Sequence, residues 1–118
     1  MILCIDSGNT RLKWGLHDGS GWWELGAVPQ AEVAQLAEVT KCLPRPQQVM
    51  VANVAGEAVA RAIAAALTGW DVSPCFVYSE AKRAGVTNGY IHPGQLGVDR
   101  WCALIGARQQ TTAPVVVV

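Results

Sequence analysis

A short apolar run, a tight turn and an alternating run open this chain, and they constrain its fold more than any other stretch. Ile2-Leu3-Cys4-Ile5 is apolar and ends at Asp6, the pattern of a short buried strand over residues 2–6. Ser7-Gly8-Asn9-Thr10 follows as a turn, with Gly8 and Asn9 able to take positive φ in a tight hairpin. Residues 11–17 then alternate polar and apolar, the period of a half-buried strand. The pattern sets Asp6 at the mouth of a hairpin, with Thr10 and Lys13 close by. Backbone N–H groups, a hydroxyl, a carboxylate and an ammonium converge there, a set able to bind a metal–phosphate pair. The alternative is an ordinary hairpin in which Asp6 caps its own turn.

The rest of the chain extends the sheet. Asp18-Gly19-Ser20-Gly21 is a turn signal, and residues 22–28 resume as a third strand, giving an antiparallel meander. Trp14, Trp22 and Trp23 fall inside strand periods and are expected to pack in the core or on a sheet face. Residues 30–42 carry Val33, Leu36 and Val39 at helical spacing, and Pro44 and Pro46 end that helix. Residues 48–54 read as a strand buried on both faces, with Asn53 at its end. The alanine-rich stretch 56–67 reads as a helix stopped by Gly69. Residues 72–77 read as an edge strand because Pro74 removes a ladder donor. Residues 79–94 are irregular, and long irregular segments are usually functional or disordered. A helix runs from Gly97 to about Gln110 with Val98, Trp101, Cys102, Leu104 and Ile105 on one apolar face. Val115–Val118 reads as the start of a central strand, from which the chain is expected to be the N-terminal part of a longer protein. The fold class is α/β: a mixed sheet, meander first, then alternating helices and strands on its faces. Ligands of open α/β sheets bind beyond strand carboxyl ends, where Asp6 and Asn53 fall.

Composition narrows the function. With 118 residues, 51% of them apolar and 15% charged, the chain has material for one domain with a core. Formal net charge is zero, which argues against nucleic acid as a partner. No apolar run approaches the ~20 residues of a membrane span, and no basic-then-apolar leader opens the chain. The expected compartment is the cytoplasm, with no membrane partner. Cys4, Cys42, Cys75 and Cys102 are scattered without a Cys-x-x-Cys pair, so they are expected to be small buried hydrophobes, not a zinc site.

A second cluster is Asn88-Gly89-Tyr90-Ile91-His92-Pro93-Gly94-Gln95-Leu96-Gly97-Val98-Asp99-Arg100-Trp101. Asp99 and Arg100 open a helix. One reading makes Asp99 a helix N-terminal acid, favourable against the dipole. The other makes it a general base in a cleft, with Arg100 steadying an anion. In phosphoryl transfer the acid mainly orients the hydroxyl and accepts its proton late. His92 reads as a turn residue and His17 is assigned no role. The Walker A loop, the Gly-x-Gly-x-x-Gly fingerprint and any Ser-His-Asp set are absent.

Asp6-x-Gly8-Asn9-Thr10-x-x-Lys13, followed far along the chain by Asn88-x-Tyr90 and Leu96-Gly97-x-Asp99-Arg100-Trp101, resembles type III pantothenate kinase, the family that includes Bvg accessory factor homologues. The resemblance spans the whole chain and matches the family's first half. It implies an actin-like ATPase (ribonuclease H-like) domain over residues 1–118, the N-terminal domain of a two-domain kinase whose C-terminal domain is absent from this chain. It implies transfer of the ATP γ-phosphate to the primary hydroxyl of pantothenate, the first step of coenzyme A synthesis. Asp6, Ser7, Gly8, Asn9, Thr10, Arg11, Leu12 and Lys13 match the first phosphate loop, with Asp6 a candidate Mg²⁺ ligand. Asp99 matches the catalytic acid, and Tyr90, Gly97, Val98, Asp99 and Arg100 match the pantothenate-binding positions. The family uses ATP, Mg²⁺ and a monovalent cation (K⁺ or NH₄⁺) and works as a homodimer. Its second phosphate motif and its cation-binding acid have no match here, so residues 1–118 alone are expected to be inactive. Two other functions fit the same fold: a non-catalytic accessory protein, or a kinase for another alcohol. Retention of Asp6, Lys13, Asp99 and Arg100 together favours the enzyme.

Overall fold

Strand β1 (Ile2–Ser7) hydrogen-bonds along both edges and carries the sheet on either side of it. The computed structural model describes residues 1–118 and divides them into two units, Met1–Val77 and Tyr78–Val118. In the first unit, β2 (Arg11–His17) lies antiparallel to β1, and β3 (Trp22–Pro29) antiparallel to β2. On the other edge, β4 (Gln48–Asn53) and β5 (Pro74–Phe76) add in parallel, giving the order β3-β2-β1-β4-β5. This is the expected meander with α/β additions, and β5 is the edge strand that Pro74 implied.

Pleat alternation selects the core. Leu3, Ile5 and Ser7 of β1, Leu12, Trp14 and Leu16 of β2, and Val49 and Val51 of β4 are buried. Val33, Leu36, Ile63, Leu67 and Trp70 pack in the same cluster from the helical segments. Each such apolar side chain contributes roughly 1.5–3 kcal/mol when fully buried. The helices are α1 (Leu36–Cys42) and α2 (Glu57–Ala66), and within this unit both cover one sheet face. The other face shows half-exposed Cys4, Met50 and Ala52, so β4 is not buried on both faces as its continuous apolar run suggested.

Three further local expectations need correction. The helix expected over 30–42 is a 3₁₀ segment, Gln30–Gln35, followed by α1, with Glu32 non-helical at φ −121° and ψ 35°. Buried Val33 and Leu36 are three apart, the spacing that 3₁₀ geometry aligns. α2 stops at Leu67, whose 1% exposure anchors it in the core, with no left-handed turn at Gly69. Trp14 is a core residue and Trp22 lies on a sheet face over Gly15, the two placements expected, while both Trp22 and Trp23 stay exposed on β3, the outer strand of the meander. Trp22 meets the His17 ring edge-on, with centroids 4.8 Å apart. Only Cys4 is half-buried; Cys42, Cys75 and Cys102 are exposed.

The second unit begins with a hairpin that the irregular sequence of 79–94 did not announce, β6 (Lys82–Arg83) with β7 (Val86–Thr87). Ala84 and Gly85 turn it with φ of 51° and 80°, positive at both central positions as tight hairpins require. A 3₁₀ turn (Pro93–Gln95) leads to α3 (Val98–Gln110), which buries Val98 and Trp101 while Cys102 is exposed and Leu104 and Ile105 are half-exposed. The strand expected at Val115–Val118 does not form: those residues are exposed and no strand pairs with them. A strand's hydrogen bonds need a neighbour, which apolar composition alone does not supply. No helix is long and apolar enough to cross a membrane.

Two measurements check this fold. A Cβ on Gly26 would collide with the Trp14 indole, whereas one on Gly21 meets nothing. Gly26→Ala should therefore destabilise by about 1–3 kcal/mol in urea unfolding, with Gly21→Ala within about 0.5 kcal/mol of wild type. In the β2–β3 turn, Asp18 Oδ1 accepts the Ser20 N–H (2.8 Å), the Gly21 N–H (2.9 Å) and the Ser20 hydroxyl (2.8 Å). These donors hold its pKa down to about 2. The folded value lies below the unfolded one, so the turn's contribution is intact above the ordinary carboxylate range and is lost as pH falls through about 2. A carboxyl ¹³C titration of Asp18 should show that midpoint.

Candidate active site

The hairpin that joins β1 to β2 is closed by one backbone bond, Gly8 N–H to Arg11 O at 3.0 Å. Neither Gly8 nor Asn9 uses positive φ, contrary to the expectation from their residue types. Glycine serves another purpose here: a Cβ at position 8 would lie 3.3 Å from Arg11 O, tighter than most such contacts. The N–H groups of Asn9 and Thr10 have no acceptor within the chain. Both residues are exposed, so two adjacent amides at the tip are available to an oxyanion.

Strand alternation then sorts the side chains. Asp6 and Lys13 are direct cross-strand partners on the face away from the core, with Nζ 4.0 Å from Oδ2. They are 51% and 65% exposed, so both remain accessible to a charged ligand. Arg11 is exposed, whereas Ser7 and Leu12 are fully buried. Those two can meet a ligand only through their backbone, which corrects their place among the candidate contacts.

The loop is held from a position that sequence reading did not single out. Gln30 donates its backbone N–H to Thr10 O (3.0 Å) and its side-chain Nε2 to Ser7 Oγ (2.9 Å) and Gly8 O. The amide orientation follows from the Gly8 carbonyl, which can only accept. Gln30 Oε1 is left buried without a partner, a cost of about 1–3 kcal/mol.

A second loop leaves the same sheet edge. Ser7 and Asn53 are parallel register partners, and Val54 N–H donates to Ser7 O at 3.0 Å. Asn53 folds its own turn, accepting from Ala55 N–H (3.0 Å) and donating to Gly56 O (2.9 Å). Gly56 adopts φ 96° and starts α2 with no side-chain cap. Strand-end loops and an uncapped helix N-terminus are the features phosphate sites use in α/β sheets. The sequence marked Asn53 by its strand end alone; Gly56 was legible only as a helix boundary.

In the second unit, Asn88 is buried and organises the turn before α3. Its Oδ1 accepts the Tyr90 N–H (2.9 Å), its Nδ2 donates to Pro93 O (3.3 Å), and its own N–H bonds Ala81 O (2.8 Å). Ser79 Oγ donates to Leu96 O at 2.6 Å, fixing the entry to the helix. Asp99 sits in the first turn of α3, exposed, with Oδ1 accepting the Arg100 N–H at 2.9 Å. A Cβ on Gly97 would come within 2.7 Å of that oxygen, so a larger residue there would turn the exposed carboxylate aside. Tyr90 and Arg100 are exposed and no carboxylate pairs with Arg100. Val98 is buried and can contribute only backbone to a ligand.

No group of three or more His, Cys, Asp or Glu is placed to hold a metal ion. Asp6 is the single carboxylate of the β1–β2 hairpin. One carboxylate fits Mg²⁺ that arrives hydrated on a nucleotide, and not a metal held in a protein cage.

The first unit is an α/β sheet with two free amides at a hairpin tip beside its strand carboxyl ends, an arrangement able to receive an oxyanion. The type III pantothenate kinase family model matches residues 2–118. A type III pantothenate kinase of Dechloromonas aromatica is 51% identical over all of this chain and half of its own length. Its counterpart in Aromatoleum aromaticum is 49% identical over all of this chain and 49% of its own length. That of Nitrosospira multiformis is 40% identical over 91% of this chain and 41% of its own length. The chain belongs to the type III pantothenate kinase family and spans about half the length of these curated relatives.

The exposed Asp6–Lys13 pair is expected to contribute little to folding. Lys13→Met should shift unfolding free energy by less than about 1 kcal/mol. A larger shift by urea titration would show that the pair has a structural role.

Proposed function

We propose that this chain forms the N-terminal, actin-like ATPase domain of a kinase that phosphorylates pantothenate with ATP, the first step of coenzyme A synthesis. The observation that carries the reading is the hairpin of two open amides flanked by an accessible Asp6–Lys13 pair, in a chain of this family. In this reading the Asn9 and Thr10 amides receive phosphate oxygens and Lys13 offsets their charge. Asp6 would hold Mg²⁺ through its waters, and the ion would supply charge neutralisation on the phosphates.

Asp99 takes the role of proton acceptor. Its carboxylate orients the primary hydroxyl of pantothenate and receives its proton as the P–O bond forms. Arg100 is an exposed guanidinium without an ion-pair partner, suited to the pantothenate carboxylate by its paired donors. Tyr90 and the backbone of Gly97 and Val98 complete the acceptor side. The homodimer, the monovalent cation and the cytoplasmic setting belong to the same reading and rest on the family resemblance.

The test is ATP consumption coupled to pantothenate in the full-length enzyme, wild type against Asp99→Asn. Turnover should fall ~10²-fold or more, because the amide cannot accept the proton. Unchanged turnover would reject Asp99 as the base.

A further inference from the structure

We infer that Gln30 is the positioning residue of the nucleotide phosphate loop, holding the hairpin in the form that leaves the Asn9 and Thr10 amides open to an oxyanion. The inference rests on the kinase reading above and adds to it a residue outside the Asp6–Lys13 segment. Gln30 directly follows β3, whose last residue, Pro29, pairs with Arg11. Its backbone N–H reaches Thr10 O at 3.0 Å, next to that last pair of the β2–β3 ladder. Its side chain crosses to the other strand of the hairpin, where Nε2 supplies one hydrogen to Ser7 Oγ and one to Gly8 O. Three loop residues, Ser7, Gly8 and Thr10, are thus fixed by one residue at least twenty positions away. Pro29, at φ −58°, limits the backbone freedom of the approach.

The chemistry of the contact is specific. Gly8 O can only accept, and the buried Ser7 hydroxyl accepts here, so the site needs two N–H hydrogens from one nitrogen. The amide oxygen gains nothing in return, since Oε1 is buried and unpartnered. Glutamine at this position therefore serves the loop through its donor half. A loop pre-ordered in this way lowers the ordering cost of binding phosphate, so its loss should appear in nucleotide affinity and not in acceptor affinity.

The experiment uses the full-length enzyme as wild type, Gln30→Met and Gln30→Glu, each checked for an unchanged thermal transition. Gln30→Met keeps the length and loses both hydrogens. Its KM for MgATP should rise roughly tenfold, with kcat and the KM for pantothenate within about twofold. Gln30→Glu places a carboxylate against two acceptors and regains one hydrogen only when protonated. Its KM for MgATP, relative to wild type, should improve as pH falls from about 8 to about 6, because burial beside a carbonyl raises a carboxyl pKa. The Gln30→Met ratio should stay flat over that range. An unchanged KM for MgATP in Gln30→Met, an equal rise for both substrates, or a flat pH response in Gln30→Glu would overturn the inference. A wild-type enzyme with no pantothenate-dependent turnover would overturn the functional reading first, before any variant is compared.

Discussion

The double hydrogen-bonding of β1 is the constraint on which the first unit depends. Because β1 bonds antiparallel to β2 and parallel to β4, it fixes the register of both. That register decides which side chains meet the helices and which face the other way. It also brings two strand ends, Ser7 and Asn53, side by side, so two loops emerge together at one edge. A parallel pair needs a crossover of a dozen or more residues. Here that crossover carries β2, β3 and α1 as well, so the meander and the parallel half are joined through the same strand.

Stability and chemistry are separated by the pleat. Inward residues, Leu3, Ile5, Leu12, Trp14 and Leu16, belong to the core. The charged residues at the same strand ends, Asp6 and Lys13, point the other way and stay hydrated. An exposed ion pair of this kind contributes little to folding and is therefore available for ligand charge. The burden of shaping the loop falls on neutral hydrogen bonds from Gln30 and Val54, which are insensitive to the ligand's charge.

The sequence was most legible where structure is local. The bounds of β2, and those of β1, β3, β4, α2 and α3 to within a residue or two, follow from period and turn chemistry. The reading failed where a residue's state is set by distant neighbours. Cys42 and Cys75 read as small buried hydrophobes, but both are exposed. Val115–Val118 has strand composition without a strand beside it. The β6–β7 hairpin was hidden because its turn places alanine at a left-handed position that composition assigns to glycine or asparagine. In the site, Asp6, Lys13 and the open amides were visible as a motif. Gln30 was not, because a glutamine after a proline carries no local signal and its partners lie across the sheet.

The alternation of Asp6 outward and Ser7 inward has an evolutionary consequence. A single-residue insertion or deletion in β1 would exchange the two, driving a carboxylate toward the apolar core and a small hydroxyl out to the site. Length change in this strand is viable only in steps of two, which preserve parity. The hairpin tip and the segments beyond Asn53 are free of that rule, since no ladder reads their parity. Variation in the length of this half of the molecule should therefore accumulate between the strands, leaving the spacing within Ile2–Ser7 and within Arg11–His17 intact while the connections drift.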